Sequence, residues 1–110
     1  MTVTTLKLEG RLDTAAVARM ETAFAARAGA VTEPIGKAII DLQDLTFLSS
    51  MGIRLLVSTI KQFKQRGITF VTVPPRDGTV LELLQMASLT DHLNLVESAS
   101  ATEAVLAGNS

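Results

Sequence analysis

The first third of this chain changes from an alternating to a helical pattern of apolar residues. Residues 3–12 alternate leucines with polar residues, which predicts a strand with one face exposed. A helix is predicted next, with its N-cap at Asp13 or Thr14 and its end at Gly29. The apolar stripe of this helix consists of Val17, Met20 and Phe24. Residues 29–36 hold two glycines and a proline, so the pattern predicts a loop there.

Two buried elements are predicted in the middle of the chain. Residues 37–42 form a short apolar run without alternation, as in a parallel strand that is covered on both faces. Apolar residues then recur at helical spacing, which predicts a helix from Ser49 and Ser50 to about Gln65. Basic residues crowd its last turn, where the helix dipole favours cations, and Gly67 closes it.

The last third repeats the order of strand and helix. Residues 68–73 are β-branched and aromatic, which predicts a strand that ends at the following prolines. Thr79 and Glu82 have the spacing of a capping box for a third helix. A short strand at 93–97 and a fourth helix at 101–107 complete the pattern.

Strands and helices that alternate in this way predict an α/β fold. We expect a single layer of mixed, mostly parallel sheet with about four helices packed on it. A length of 110 residues suits one domain over residues 1–110.

Composition narrows the range of functions. The net charge is -1, from 10 basic and 11 acidic residues, and the only aromatic residues are four phenylalanines. Nucleic-acid binding is therefore not expected, because phosphate-binding surfaces carry a basic excess and bases stack on aromatic rings. There is no cysteine, no apolar run long enough to span a membrane and no pattern of a signal peptide at the start. We expect a cytoplasmic protein that does not bind membranes.

Few residues offer enzymatic chemistry. The only histidine is His92, and the sequence has no nucleophile elbow, phosphate-binding glycine loop or cluster of metal ligands. Asp41 ends a buried strand, as a phosphate-accepting aspartate would, but it lacks the acidic pair and the lysine that such chemistry needs. We expect Asp41 to accept backbone hydrogen bonds in the next turn. The sequence thus predicts no catalytic residue, metal or cofactor, and a protein that is not an enzyme.

The polar pair Ser49 and Ser50 interrupts apolar residues where the second helix begins. A serine there is an effective N-cap, worth about 1 kcal/mol. A cap does not explain Gly52, which indicates either that some group approaches the backbone closely or that a phosphate-sized group needs space there. Helix N-termini attract anions, and Arg54 lies one turn beyond Ser50. The local pattern therefore allows either a simple cap or a site that an anion or an acidic partner visits.

A longer match includes this pair. Residues 41–53, DLQDLTFLSSMGI, resemble the signature D-L-x-x-(V/L)-x-(F/Y)-(I/M/L)-(D/S)-S-(S/T/A)-G-(L/I) of STAS domains, specifically bacterial anti-sigma factor antagonists. Residues 10–14 resemble the G-x-L-D-x element of that family, and residues 80–93 resemble its later helical segment. The resemblance therefore covers nearly the whole chain.

This resemblance implies a phosphorylation switch. It implies that Ser50 is phosphorylated by a histidine-kinase-like (GHKL-type) ATPase that is both serine kinase and anti-sigma factor, and that a PP2C-type phosphatase reverses the reaction. Unphosphorylated protein would bind the kinase and so free the sigma factor. Ser49 stands where the family often has aspartate, which leaves open which serine is modified. The implied partner-binding residues around the acceptor are Asp13, Ser49, Met51, Gly52 and Arg54.

Two alternatives stay open at this point. Besides the switch that the resemblance implies, the chain could be a STAS scaffold without a switch, as a subunit of a transport or stress complex, or a small α/β nucleotide binder. A monomer is expected, although an exposed edge strand would also allow a dimer.

Overall fold

Five strands and three helices are present in the computed structural model of the chain, which describes residues 3–31 and 37–96. They are, in order, β1 (Val3–Lys7), β2 (Gly10–Leu12), α1 (Thr14–Gly29), β3 (Lys37–Asp41), β4 (Leu45–Leu48), α2 (Ser50–Gln65), β5 (Thr69–Val73) and α3 (Gly78–Met86). The predicted α/β class is confirmed. The predicted fourth helix at 101–107 lies outside the described residues.

All the pairings between these strands are parallel. A three-stranded sheet has the order β1-β3-β5, and a two-stranded sheet pairs β2 with β4. The prediction of a mostly parallel sheet is therefore confirmed, and the described strands contain no antiparallel pair. Helices lie in the connections between the strands that pair, and parallel neighbours require such crossover connections.

The two sheets arise because two strand segments bend together. The predicted strand at 3–12 is divided by Gly10, whose φ of 70° is accessible to glycine without strain. The neighbouring segment turns at the same level, and the register shifts between Gly10 and Arg11. Backbone hydrogen bonds from Leu8 to Asp41 (3.0 Å) and from Gly10 to Asp44 (2.9 Å) continue the pairing across the bend. Strand β4, which the sequence pattern did not predict, follows directly after this turn.

The main core lies between the sheets and the helices α1 and α2, which pack on each other. Leu56 and Phe63 of α2 are fully buried, and the Phe63 ring lies 5.6 Å from that of Phe70 on β5. On the other face of the three-stranded sheet, Val71 and Val73 form a smaller cluster that includes the neighbouring Ile39 and Val96.

Arg66 joins the C-terminal ends of the two helices. It follows the last residue of α2, and its guanidinium donates hydrogen bonds to the carbonyl oxygens of Ala28 (3.2 Å) and Val31. Ala28 lies in the last turn of α1 and Val31 just beyond its end, so one cation connects α2 to the chain where α1 ends. The Ala28 carbonyl also accepts the Val31 amide at 3.3 Å, and the guanidinium adds a second hydrogen bond to it. The two helices are thereby fixed side by side.

Helix α3 begins differently from the prediction. Its N-cap is Asp77, whose carboxylate accepts hydrogen bonds from the amides of Thr79 (2.8 Å) and Val80 (3.4 Å). The predicted capping box at Thr79 and Glu82 is therefore wrong, because Asp77 occupies the position from which an acceptor reaches these amides. The last residue of this helix, Met86, is 76% exposed.

The predicted strand at 93–97 is reduced, within the described part, to a single parallel bridge between Thr72 and Leu95. Asn94 has a φ of 54°, so the backbone turns where a strand would have to be extended. The Asn94 side chain still connects this segment to β5, because it donates a hydrogen bond to the Phe70 carbonyl at 3.0 Å.

Candidate functional site

Two helix N-termini lie side by side at one end of the β2–β4 pair. These strands are parallel and end in register, and the next residue of each is an N-cap. The carboxylate of Asp13 accepts a hydrogen bond from the Ala16 amide at 2.9 Å, and the hydroxyl of Ser49 accepts one from the Gly52 amide at 3.2 Å. Of the two predicted caps for α1, the structure therefore selects Asp13. Both helices begin at the same edge with their positive dipole ends.

Ser49 uses its hydroxyl in two hydrogen bonds. Besides accepting from the Gly52 amide, the hydroxyl donates a hydrogen bond to the Leu12 carbonyl at 2.8 Å, and the Ser49 amide donates to the same carbonyl at 3.0 Å. The side chain is half-buried. Ser49 thus connects the start of α2 to the end of β2, and a group attached to its oxygen would disturb this connection.

Ser50 differs from its neighbour in each of these respects. It is the first residue of α2 and is exposed. Among the described residues its hydroxyl has no hydrogen-bond partner. A negative group on this oxygen would lie at the positive end of the helix dipole, where anions are favoured. Ser50 is therefore the serine of the pair that has a free hydroxyl in a position suited to an anion.

Gly52 faces the protein interior. A Cβ atom at this position would lie 2.7 Å from Leu48 Cδ1 and 3.0 Å from Leu12 Cδ2, closer than van der Waals contact allows. The close approach that the sequence indicated is therefore made by the core of the protein itself. Because Gly52 has no side chain, the first turn of α2 can lie close to the ends of β2 and β4. Gly52 therefore shapes the site by letting the backbone pack closely.

Met51 and Arg54 form the side of the site that continues along α2. Met51 is half-buried and packs against the main core, whereas Arg54 is exposed. A guanidinium nitrogen of Arg54 lies 4.0 Å from the Met51 sulfur. Of the residues predicted to bind a partner, Arg54 is the one that offers an exposed charge.

Arg11 and Phe47 are additional surface residues that sequence reasoning missed. They are register partners on β2 and β4, and the Arg11 guanidinium lies 4.5 Å from the centre of the Phe47 ring. This distance is typical of a cation–π contact. Phe47 stands within the matched motif, but its pairing with Arg11 depends on a strand and a register that only the fold provides.

Polar groups at the ends of β1 and β3 form a surface network. The Asp41 carboxylate accepts a hydrogen bond from the Gln43 amide at 3.0 Å, which confirms the turn contact predicted for Asp41. The Lys7 ammonium lies 2.8 Å from the Asp44 carboxylate, and this hydrogen bond and charge pairing raise the pKa of Lys7 and lower the pKa of Asp44. Arg76 adds a second, longer contact to Asp44 at 3.7 Å. These groups are partly exposed and make structural pairs.

Two other kinds of site are not found in the part of the chain that the structure describes. Residues 3–31 and 37–96 contain no group of three or more side chains placed to hold a metal ion. Within the same ranges no helix is both long and apolar enough to cross a membrane.

Comparisons with known proteins place this geometry in a family context. The family model described as STAS domain matches residues 2–102. No curated protein matches the chain. The solved STAS domain of a SulP transporter from Vibrio cholerae is similar with a TM-score of 0.67 and 23% identity, covering 97% of this chain and 80% of that one. The Bacillus cell fate determinant SpoIIAA in its phosphorylated form is similar with a TM-score of 0.65 and 22% identity, covering 93% of this chain and 90% of that one.

Proposed function

This chain belongs to the STAS domain family, and on that basis we propose that it is an anti-sigma factor antagonist whose partner binding is controlled by phosphorylation of Ser50. In this proposal the chain is a cytoplasmic binding module and not an enzyme. Its partner is a GHKL-type serine kinase that also acts as an anti-sigma factor, and a PP2C-type phosphatase restores the binding form.

The observation that carries the proposal is the contrast between the two serines. The Ser49 hydroxyl is half-buried and donates to the Leu12 carbonyl, whereas the Ser50 hydroxyl is exposed and has no hydrogen-bond partner among the described residues. A kinase needs an accessible hydroxyl that can be phosphorylated without breaking a stabilising hydrogen bond. Ser50 meets this requirement, and the family motif assigns the same position.

The electrostatics of the site supply a reason for the switch. A phosphoryl group adds a charge of about -1.5 to -2 and three acceptor oxygens. At Ser50 the group would be stabilised by the positive end of α2, so phosphorylation would not unfold the helix. It would also convert a face that carries the exposed cation Arg54 into a negative one. A partner that approaches with acidic groups would then be repelled.

Phosphopeptide mass spectrometry on protein purified from its own host is the first test. Phosphate on Ser50 that changes between growth and stress is the expected result. Phosphate on Ser49 would move the acceptor by one residue and contradict the geometric argument. Absence of phosphate under every condition would overturn the switch.

Binding experiments with the cognate kinase provide the second test. The Ser50→Ala variant should bind the kinase constitutively, because it cannot be modified, and Ser50→Asp should bind weakly, because it carries a permanent charge. Ser50→Asn is a matched control of similar size without charge. Equal binding of all three variants would contradict a switch at this position.

A second candidate function is a STAS subunit of a transport complex that has no switch. The observation that favours it is the similarity to the SulP transporter STAS domain, which covers 97% of this chain. In that case Ser50 is only an exposed residue at the start of α2. Co-purification with a permease, together with unmodified Ser50, would support this candidate over the first. The nucleotide-binder alternative has no specific observation in its favour.

A further inference from the structure

The charges of this chain are unevenly distributed. Residues 45–76 contain five basic residues and no acidic residue, although the whole chain has a net charge of -1. Three of the five belong to α2, and this helix has no carboxylate to balance them. The basic residues in this range are Arg54, Lys61, Lys64, Arg66 and Arg76.

A groove of about 440 Å³ follows the outer side of α2 and is lined by two of these cations, Arg54 and Lys61. Half-buried Ile53 and Val57 provide its apolar surface, and the exposed side chains of Arg54 and Lys61 stand beside them. Its far end is at Gln65.

A second cavity of about 220 Å³ shares Val57 and Lys61 with this groove and widens the surface towards the segment after α3. It adds the basic side chain of Lys64 and the exposed ring of His92. None of the side chains that line either cavity is acidic. The two cavities together form a surface of apolar and basic side chains that meet at Val57 and Lys61, which we call the α2 groove.

We propose that the α2 groove docks an acidic amphipathic helix of a partner protein. From Ile53 to Gln65 the groove extends about 18 Å, at the 1.5 Å rise per residue of a helix, so a helix of some three turns matches its length. Apolar residues of the incoming helix would contact Ile53 and Val57. Its carboxylates would face Arg54 and Lys61, in the manner of helix-in-groove recognition.

Other occupants fit these observations less well. A second copy of this chain would have to offer an acidic helix, but α1 and α3 contain one acidic residue each, Glu21 and Glu82. Helices that lie in a membrane surface insert large apolar side chains such as Trp, Phe and Leu. The α2 groove instead exposes parts of Ile53 and Val57, which are half-buried already.

Docking in the α2 groove does not depend on phosphorylation of Ser50. Ser50 does begin the same helix, one turn before Ile53, so a phosphate there would oppose the carboxylates of the docked helix. That coupling rests on the proposed function, whereas the docking itself does not. The two can therefore fail separately.

The experiment is a titration of the isotope-labelled full chain, followed by nuclear magnetic resonance. The probe is a synthetic helix of about 18 residues, long enough to be helical alone, with leucines on one face and glutamates on the other. A control peptide has lysine in place of each glutamate. We expect the amide signals of Ile53, Val57 and Lys61 to shift with the acidic peptide and not with the basic one. The affinity should fall as salt is raised, because the charges are near the surface.

Charge reversal then tests the contact directly. Lys61→Glu should weaken binding of the acidic peptide by about fivefold or more and should allow the basic peptide to bind. Arg19→Glu, an equal reversal on the exposed side of α1, is the matched control and should leave the affinity unchanged. Ser50→Asp tests the coupling separately. It should weaken binding of the acidic peptide if the switch acts on this groove and should leave the affinity unchanged if it does not.

Three results would overturn the proposal. They are absence of shifts on α2 at millimolar peptide, equal loss of affinity in Lys61→Glu and Arg19→Glu, and binding of anionic phosphatidylglycerol vesicles through α2 while the acidic peptide does not bind. The third result would identify a membrane surface as the occupant.

Discussion

Replacing each serine of the pair with alanine should affect the free energy of unfolding very differently. Ser49→Ala removes the oxygen that accepts from the Gly52 amide at 3.2 Å and donates to the Leu12 carbonyl at 2.8 Å. Ser50→Ala removes an exposed hydroxyl that has no partner among the described residues.

The magnitude follows from these contacts. Loss of an N-cap lowers the free energy of unfolding by about 1 kcal/mol. Here the loss also leaves the amide of the buried residue Gly52 without the Ser49 hydroxyl as its acceptor. The lost bond to Leu12 costs about 0.5–1 kcal/mol, since that carbonyl keeps the backbone amide of Ser49 at 3.0 Å. We therefore expect Ser49→Ala to lower the free energy of unfolding by about 2 kcal/mol. Ser50→Ala should change it by less than about 0.5 kcal/mol.

Urea denaturation followed by circular dichroism measures the difference. With an m-value of about 1.5 kcal/mol/M, the midpoint should fall by about 1.3 M in Ser49→Ala and stay nearly constant in Ser50→Ala. Ser49→Asp separates the two bonds, because aspartate can cap the helix but its carboxylate cannot donate to Leu12. Its loss should therefore lie between those of the two alanine variants.

Equal losses in the two alanine variants would refute this reasoning. They would mean that the Ser50 hydroxyl also makes a stabilising contact, and the structural case for Ser50 as the free serine would be lost. A change in m-value instead of the midpoint would indicate an altered denatured state and would require a thermal measurement.

Three other predictions test the fold around the site. Thr72→Val should raise the melting temperature by about 4 °C, because the Thr72 hydroxyl is fully buried without a hydrogen-bond partner among residues 3–31 and 37–96 and valine has the same shape; an unchanged or lower value in calorimetry would indicate that the hydroxyl has a partner. Arg66→Ala should lower the free energy of unfolding, measured by urea denaturation, by about 2 kcal/mol. Arg66→Lys should recover only part of this loss, because one ammonium cannot reach the carbonyls of both Ala28 and Val31. Full recovery by lysine would contradict the arrangement in which one guanidinium bonds both carbonyls. The Lys7–Asp44 pair should stabilise the fold between about pH 4 and pH 10, and this contribution should be lost as pH falls through the lowered pKa of Asp44 or rises through the raised pKa of Lys7. Titration of Asp44 by nuclear magnetic resonance should show its pKa return towards the ordinary value in Lys7→Met, and an unchanged pKa would sink this assignment.

Helix positions could be predicted from the sequence because their signals are local. Apolar spacing and the caps at Asp13 and Ser49 located α1 and α2 to within a residue or two, since a cap bonds amides only two or three positions away. The same logic failed at α3, where Asp77 and Thr79 are both suitable acceptors and the loop geometry favours the first. Short-range signals thus locate a helix better than they choose between neighbouring caps.

Strand boundaries were predicted less well because pairing is not local. Gly10 permits a bend within residues 3–12, but the segment alone does not show that it bends there, because the bend matches a turn at 42–44 in the neighbouring segment. Strand β4 is four residues long, and its strand character depends on pairing with β2. Register and bends are properties of two segments together, so one segment alone could not reveal them.

For the site, the sequence by itself determined the α/β class, the helix that begins at the serine pair and the motif that resembles STAS domains. It could not decide which hydroxyl is free, because the acceptor that engages Ser49 is the carbonyl of Leu12, 37 residues earlier. Nor could it explain Gly52, whose neighbours Leu48 and Leu12 meet only in the folded chain. Both outcomes depend on the parallel pairing of β2 with β4, which brings the two helix starts together. Local residue order determined the helices, whereas long-range packing decided the strand pairing and which side-chain groups remain exposed for chemistry.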